Sequence, residues 1–407
     1  MDWSQEGMME KSGGFDWLTA GQFLFSISVV VLTTILVFAG SLLLVAGSQV
    51  LEVTIPQQQI ISSFLFLAGL GFVGLLLVPS VLTSGRMLLG LEQREISFLE
   101  NSWWLLFLVP LLIAGSSLLT SANFLQVAAF AFIHLATNGA VTFWMIFLLR
   151  RNLPKGSSQR FWGILGSGVS LAPGIAFVVE LILLVLVIIL WFAYLQTQPA
   201  ILEEINSLLN RLPQSAVSPV IIERMAGKYL ARPGVLGTIF VYVAVLIPVV
   251  EELIKPIGVW FLLSREISAW EGFVLGGLAG AGYGLFENLT IGANADVWMV
   301  VVISRIGTTA IHIFTSGLVG WGLVSAWKEA RYLRLGKAYL SAVLLHGVWN
   351  GLNVLNLIPS LPGLSDGLSS FTNYFAGFAP AGLIILSLGA LLGIIRYNIY
   401  FRRAEMS

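Results

Sequence analysis

The chain has 407 residues, of which 57% are hydrophobic and only 10% charged, and its mean hydropathy is +0.90. Soluble domains carry about a quarter charged residues, so too little polar surface exists here to cover a soluble core, and a polytopic membrane protein is expected. Twenty-one basic residues balance twenty-one acidic ones, which removes the case for a nucleic-acid partner, and the absence of cysteine excludes disulfides, thiolate metal sites and a cysteine nucleophile.

The first 22 residues are acidic on balance (Asp2, Glu6, Glu10 and Asp16 against Lys11) and lack the basic start of a secretory signal. The apolar run 23–46 that follows is therefore read as a retained first span. A helix needs about 20 apolar residues to cross the hydrocarbon. On that rule ten spans are expected, at 23–46, 60–82, 103–120, 123–148, 173–195, 235–262, 271–291, 298–326, 337–357 and 374–395. The third and fourth should form a tight hairpin about the tip Thr120, Ser121 and Asn123, and Pro173-Gly174 should open the fifth after an interfacial stretch at 161–170. With both termini in the cytoplasm, the inside segments hold fifteen Lys and Arg residues and the outside segments four, the asymmetry that orients membrane proteins. The expectation is an all-α, multi-pass protein of a cell membrane with the bilayer as its first partner.

Four regions follow. Residues 1–195 form a five-span region to which the sequence assigns no role. Residues 196–234 form an outside loop, in which Ile201, Ile205, Leu208, Leu209 and Leu212 recur at helical spacing, as do apolar residues of 220–230; two amphipathic surface helices are expected. Residues 235–357 carry nearly all the buried charge, and 358–407 supply the last span and a basic tail. No internal repeat is evident. His134 and Glu180, alone in apolar surroundings in the first half, are read as structural.

The segment PVVEELIKP (248–256) places Glu251, Glu252 and Lys255 inside a span, where each charge costs about 2.5–3.5 kcal/mol on insertion scales. Pro248 and Pro256 remove backbone donors, so this helix should be kinked or open. Glu251 and Lys255 share a face. The next span, GFVLGGLAGAGYGLFENL, repeats glycine at 272, 276, 280 and 284, a stripe for close helix approach, and ends on Glu287 and Asn288. The eighth span has Arg305 and His312 on one face, and the ninth, LLHGVWNGLN, has His346 and Asn350 four apart. Four successive helices thus carry polar groups that become tolerable only if they converge, forming a four-helix catalytic core. No HExxH, no GxSxG and no pair of intramembrane aspartates exists. Glutamate and histidine remain, which suits an activated water.

EELIK (251–255), GYGLFEN (282–288), HIFTSGLVGWG (312–322) and HGVWN (346–350) resemble, in order and spacing, the motifs of the PrsW family, prokaryotic intramembrane metalloproteases similar to CAAX prenyl endopeptidases and bacteriocin-processing proteases. The resemblance covers roughly 235–357. It implies that Glu251 and Glu252 are the paired glutamates, one of which activates water, that Lys255 is their basic partner, that Glu287 and Asn288 form the second motif, and that His312 and His346 are the two histidines. The CAAX enzymes carry a histidine where this chain has Glu287. The expected assignment gives His312 and His346 as ligands of a zinc ion, with Glu287 or one of the pair as the third ligand, and the free glutamate as base. Lys255 would keep the pair charged, and Asn350 with Arg305 would donate to the oxyanion of a peptide carbonyl. The substrate would be a membrane protein or peptide. The alternatives are a transporter or proton pathway and an inactive scaffold that binds membrane partners.

Overall fold

The computed structural model describes residues 16–50, 57–92, 95, 101–116, 124–211, 227, 230, 232–290, 295–358 and 377–406. Among these no strand occurs, only an isolated bridge between Glu95 and Ser157. The helices are α1 (Trp17–Val50), α2 (Gln57–Leu88), α3 (Trp104–Ser116), α4 (Phe124–Arg150), α5 (Ser158–Gly166), α6 (Ala172–Gln196), α7 (Pro199–Arg211), α8 (Pro233–Val241), α9 (Ile247–Ile254), α10 (Ile257–Leu262), α11 (Ala269–Thr290), α12 (Ala295–Glu329), α13 (Tyr332–Leu357) and α14 (Ala379–Met406).

Most described residues of each expected span are helical, but among the described residues seven helical segments are long and apolar enough to cross a membrane: 17–46, 59–88, 125–150, 158–196, 233–262, 298–329 and 379–404. The other three are α3, which is short, and α11 and α13. Glycines and glutamates dilute α11, most of which is buried in protein, and basic and polar residues dilute α13, which keeps an exposed apolar face with Leu340, Leu344 and Val348. The hairpin tip at 120–123 and most of the second amphipathic helix at 220–230 lie outside the described residues; the first is α7. The stretch 161–170, expected to be interfacial, instead continues directly into α6 through a π-helical turn at Ser167–Leu171 and is buried, Leu165 and Val169 fully.

α11 is the hub. One face presents the glycine stripe to α12, so closely that a Cβ at Gly280 would collide with the His312 carbonyl oxygen and one at Gly276 with that of Ser316. A Cβ at Gly272 would lie 2.7 Å from the Gly320 carbonyl oxygen. The opposite face meets α5 and its π turn, where a Cβ at Gly282 would lie 2.6 Å from the Leu165 carbonyl oxygen. With no hydrophobic drive between helices in lipid, such backbone contact is what holds them. Replacing Gly280 by alanine should therefore cost about 1–3 kcal/mol, the range for overpacking, and lower the unfolding midpoint in detergent. Gly174→Ala, where nothing lies within 4 Å, should leave it unchanged or raise it.

Two further contacts tie the first half to the second. His134 of α4 accepts a hydrogen bond from the Trp298 indole of α12 at 3.0 Å, which bears out a structural role for this histidine. At the start of α1, Asp16 caps the helix by accepting from the backbone of Leu18 and Thr19 and pairs with Arg265 at 2.6 Å. Burial alone would raise the Asp16 carboxyl, but the Thr19 and Leu18 hydrogen bonds and the Arg265 charge outweigh it and hold it below the usual carboxylate range. The anchor is thus complete above the unfolded-state value and is lost as pH falls through the lowered one. Asp16→Asn should abolish that acid-dependent component of α1 release, read by hydrogen exchange of the first turns.

Candidate functional site

The span carrying the acidic pair is broken twice. Residues Tyr242–Leu246 widen into a π-helical turn immediately before Pro248, and α9 stops at Lys255-Pro256 before α10 resumes. In a π turn the carbonyl of Val243 would accept from residue 248, which as proline has no N–H. The side chain of Asn350 supplies the missing donor, its Nδ2 lying 3.0 Å from the Val243 oxygen. Gly347, one turn earlier, lets α13 press against the Ala244 carbonyl, the other acceptor that Pro248 leaves free. Expected as an oxyanion donor, Asn350 instead completes the backbone of the broken helix. Asn350→Ala should therefore cost about 1–3 kcal/mol of stability for a buried acceptor left unpaired, read as a lower unfolding midpoint; loss of turnover at unchanged stability would restore the oxyanion role.

The break presents Glu251, Glu252 and Lys255 to α12 and α13. Glu252 and Lys255 are fully buried, and Glu251, His312 and His346 nearly so. The Lys255 ammonium lies 2.8 Å from Glu251 Oε2 and 2.8 Å from Glu252 Oε1, and donates to His312 Nδ1 at 2.7 Å. The Tyr283 ring closes over it at 4.8 Å. Glu252 Oε1 accepts from Lys255, from Thr315 at 3.1 Å and from His346 Nδ1 at 2.9 Å. Its other oxygen, Oε2, accepts nothing.

Lys255 Nζ also lies 3.3 Å from His346 Nδ1, but its three protons are taken by the shorter contacts to Glu251, Glu252 and His312, which leaves His346 Nδ1 to donate to Glu252. A His312 whose Nδ1 accepts from an ammonium carries its proton on Nε2, which donates to Glu287 Oε2 at 3.2 Å. A His346 that donates through Nδ1 to Glu252 keeps the lone pair of Nε2, which lies 3.8 Å from Glu251 Oε2. Each histidine is thus held by its own carboxylate, the arrangement by which outer carboxylates orient metal-ligating imidazoles. Glu251, His312 and His346 form a buried group whose ligand atoms all lie within 4.8 Å of one another. Two ligands each about 2 Å from one zinc ion are compatible with the 3.8 Å separation of His346 Nε2 and Glu251 Oε2. The residues fit a metal, provided that the ammonium gives way where it now faces His312 Nδ1.

Glu287 joins the cluster through His312, not through that group, and pairs with Arg305 at 3.4 Å. Both keep about a quarter of their side chains exposed, 27% and 25%, and form the accessible rim of an otherwise sealed site. Asn288 does not reach the cluster: it donates to Thr309, which in turn bonds the Arg305 carbonyl. Sequence reasoning assigned no role to Thr315 or Tyr283. Both stand within the quoted motifs, Thr315 three residues after His312, so helical spacing alone places it beside that residue. Glu180, on α6 packed against α9, accepts from Tyr242 through its backbone carbonyl at 2.8 Å.

Residues 214–378 match the family model described as PrsW family intramembrane metalloprotease. The match takes in α8 to α13 with every residue of the cluster, and leaves α1 to α7 outside. No curated protein and no solved structure matches the chain.

Proposed function

We propose that this chain, whose residues 214–378 belong to the PrsW family, is an intramembrane metal-dependent endopeptidase that hydrolyses peptide bonds of membrane-associated proteins. The observation that carries this reading is the buried group of Glu251, His312 and His346, with each histidine braced by a separate carboxylate. In this reading those three residues hold zinc, which when bound supplies a water activated at neutral pH and a Lewis acid for the scissile carbonyl.

The chain's own groups account for the proton and the charge. Glu252, pinned through Oε1, has a free Oε2 to take the proton of the attacking water and return it to the leaving amine. Lys255 supplies the counter-charge to both carboxylates at 2.8 Å in this buried site. Arg305, paired with Glu287 on the rim, would donate to a developing oxyanion. Glu287 orients His312. A peptide reaches the site past the Glu287–Arg305 rim.

The protein is read as multi-pass in a cell membrane with both termini cytoplasmic. Contacts support the grouping of loops by side, though not which side is cytoplasmic: Asp16 pairs with Arg265, Arg160 with Glu271, and at the other end Arg232 with Glu204. The test is a comparison of protein termini in membranes of cells making the wild type or Glu252→Gln. New termini within or beside substrate spans, present only with the wild type, are expected; identical terminus sets at equal protein levels would refute the protease.

One observation favours a second reading. A helix broken at midspan beside buried charges is also how transporters build ion sites, as α8–α10 is built here. Proton flux through vesicles containing the purified protein, lost in Lys255→Met, would favour it.

A further inference from the structure

Where α12 passes into α13, a cavity of about 710 Å³ opens among α12, α13 and α14. Its depth is apolar and aromatic, with Leu318, Trp321 and Tyr397, and its mouth carries Arg331, Arg334 and Lys337. Leu318 lies eleven residues before the end of α12, so the cavity runs about 16 Å along that helix at 1.5 Å per residue.

The charges at the mouth do not balance. Arg331 and Arg334 share one carboxylate, Glu329, each at 3.1 Å. Arg334 is also held by Ser325 at 2.9 Å and by the face of Trp321 at 4.8 Å. Lys337 is exposed and has no acidic partner among the described residues. Three cations against one carboxylate leave a surplus of two at the mouth of an apolar cleft.

We propose that this cavity binds an anionic phospholipid, its headgroup phosphate between Arg331 and Lys337 and the first part of an acyl chain against Trp321 and Leu318. The depth selects a ligand with an apolar tail, which free phosphate lacks. The charge surplus selects a net-negative headgroup over one whose phosphate is neutralised by its own ammonium, as in phosphatidylcholine. The walls are the helices that carry His312 and His346, so bound lipid also steadies the ends of both. The proposal rests on the membrane location and not on the hydrolytic reading, and it stands if the chain cleaves nothing.

The test is native mass spectrometry of the detergent-purified full chain given palmitoyl-oleoyl phosphatidylglycerol or the corresponding phosphatidylcholine. The wild type should retain phosphatidylglycerol in preference. Arg331→Glu and Lys337→Glu, both at exposed positions, should each weaken retention about fivefold or more for the cation removed. Ser341→Trp, which fills the cavity without altering its charges, should release the lipid too. Equal retention of the two lipids, or retention of phosphatidylglycerol unchanged in these variants, would overturn the proposal. So would displacement of the lipid by inorganic phosphate alone, which would make the mouth a simple anion site.

Discussion

Glu252→Gln should reduce turnover by about 10²–10⁴-fold, the range for loss of a general base, while the protein still folds and still holds its metal. Glutamine keeps an oxygen for Lys255, Thr315 and His346, but puts an amide where the free Oε2 now stands. Glu251→Gln should behave differently. Glu251 belongs to the Glu-His-His group, and the variant should lose metal and turnover together. The two glutamates, adjacent in sequence and about 100° apart on a helix, are therefore separable by measuring turnover and metal content side by side. Full activity in Glu252→Gln would remove it as the base.

Lys255→Met should be the most destabilising single change in the core. It leaves two carboxylates facing each other in a site from which water is excluded, and breaking a buried ion pair from one side costs about 3–5 kcal/mol. The expected readout is a large drop in the unfolding midpoint or loss of folded protein in detergent. The triple variant Lys255→Met, Glu251→Gln, Glu252→Gln should be more stable than Lys255→Met alone, because the carboxylates no longer lack a counter-charge. Strict additivity of the three effects would mean that the ammonium and the carboxylates are not energetically coupled.

Much of this core can be read from the residues. Helical spacing places His312 and Arg305 on one face, and the glycine repeat 272-276-280-284 marks the face on which α12 lies. What spacing does not carry is where a side chain ends. Asn350 and His346 share a face of α13, yet one reaches the backbone of the π turn and the other the carboxylates. Pro248 announces a break, but only the packing of α13 reveals which side chain repairs it. In the sequence Glu287 and either glutamate of the pair stand equally as third ligand; in the structure Glu251 falls in the group with His312 and His346, and Glu287 meets His312 Nε2. Residues 161–170, expected at the interface, instead lay Leu165, Gly168 and Val169 against α11. Nothing in α1 to α6 advertises a function; α2, α4, α5 and α6 pack against α11 and α6 also against α9, while α1 lies on α2 and α3 on α4.

The most direct test of the account is the metal content of the detergent-purified protein, wild type beside His312→Ala, His346→Ala, Glu251→Gln and Glu287→Gln. The expected result is about one zinc per chain in the wild type, lost in the first three variants with the fold retained, and largely kept in Glu287→Gln, whose side chain orients a ligand without being one. A well-folded wild type that takes up no metal when supplied with zinc, or one whose metal survives removal of both histidines, would contradict it.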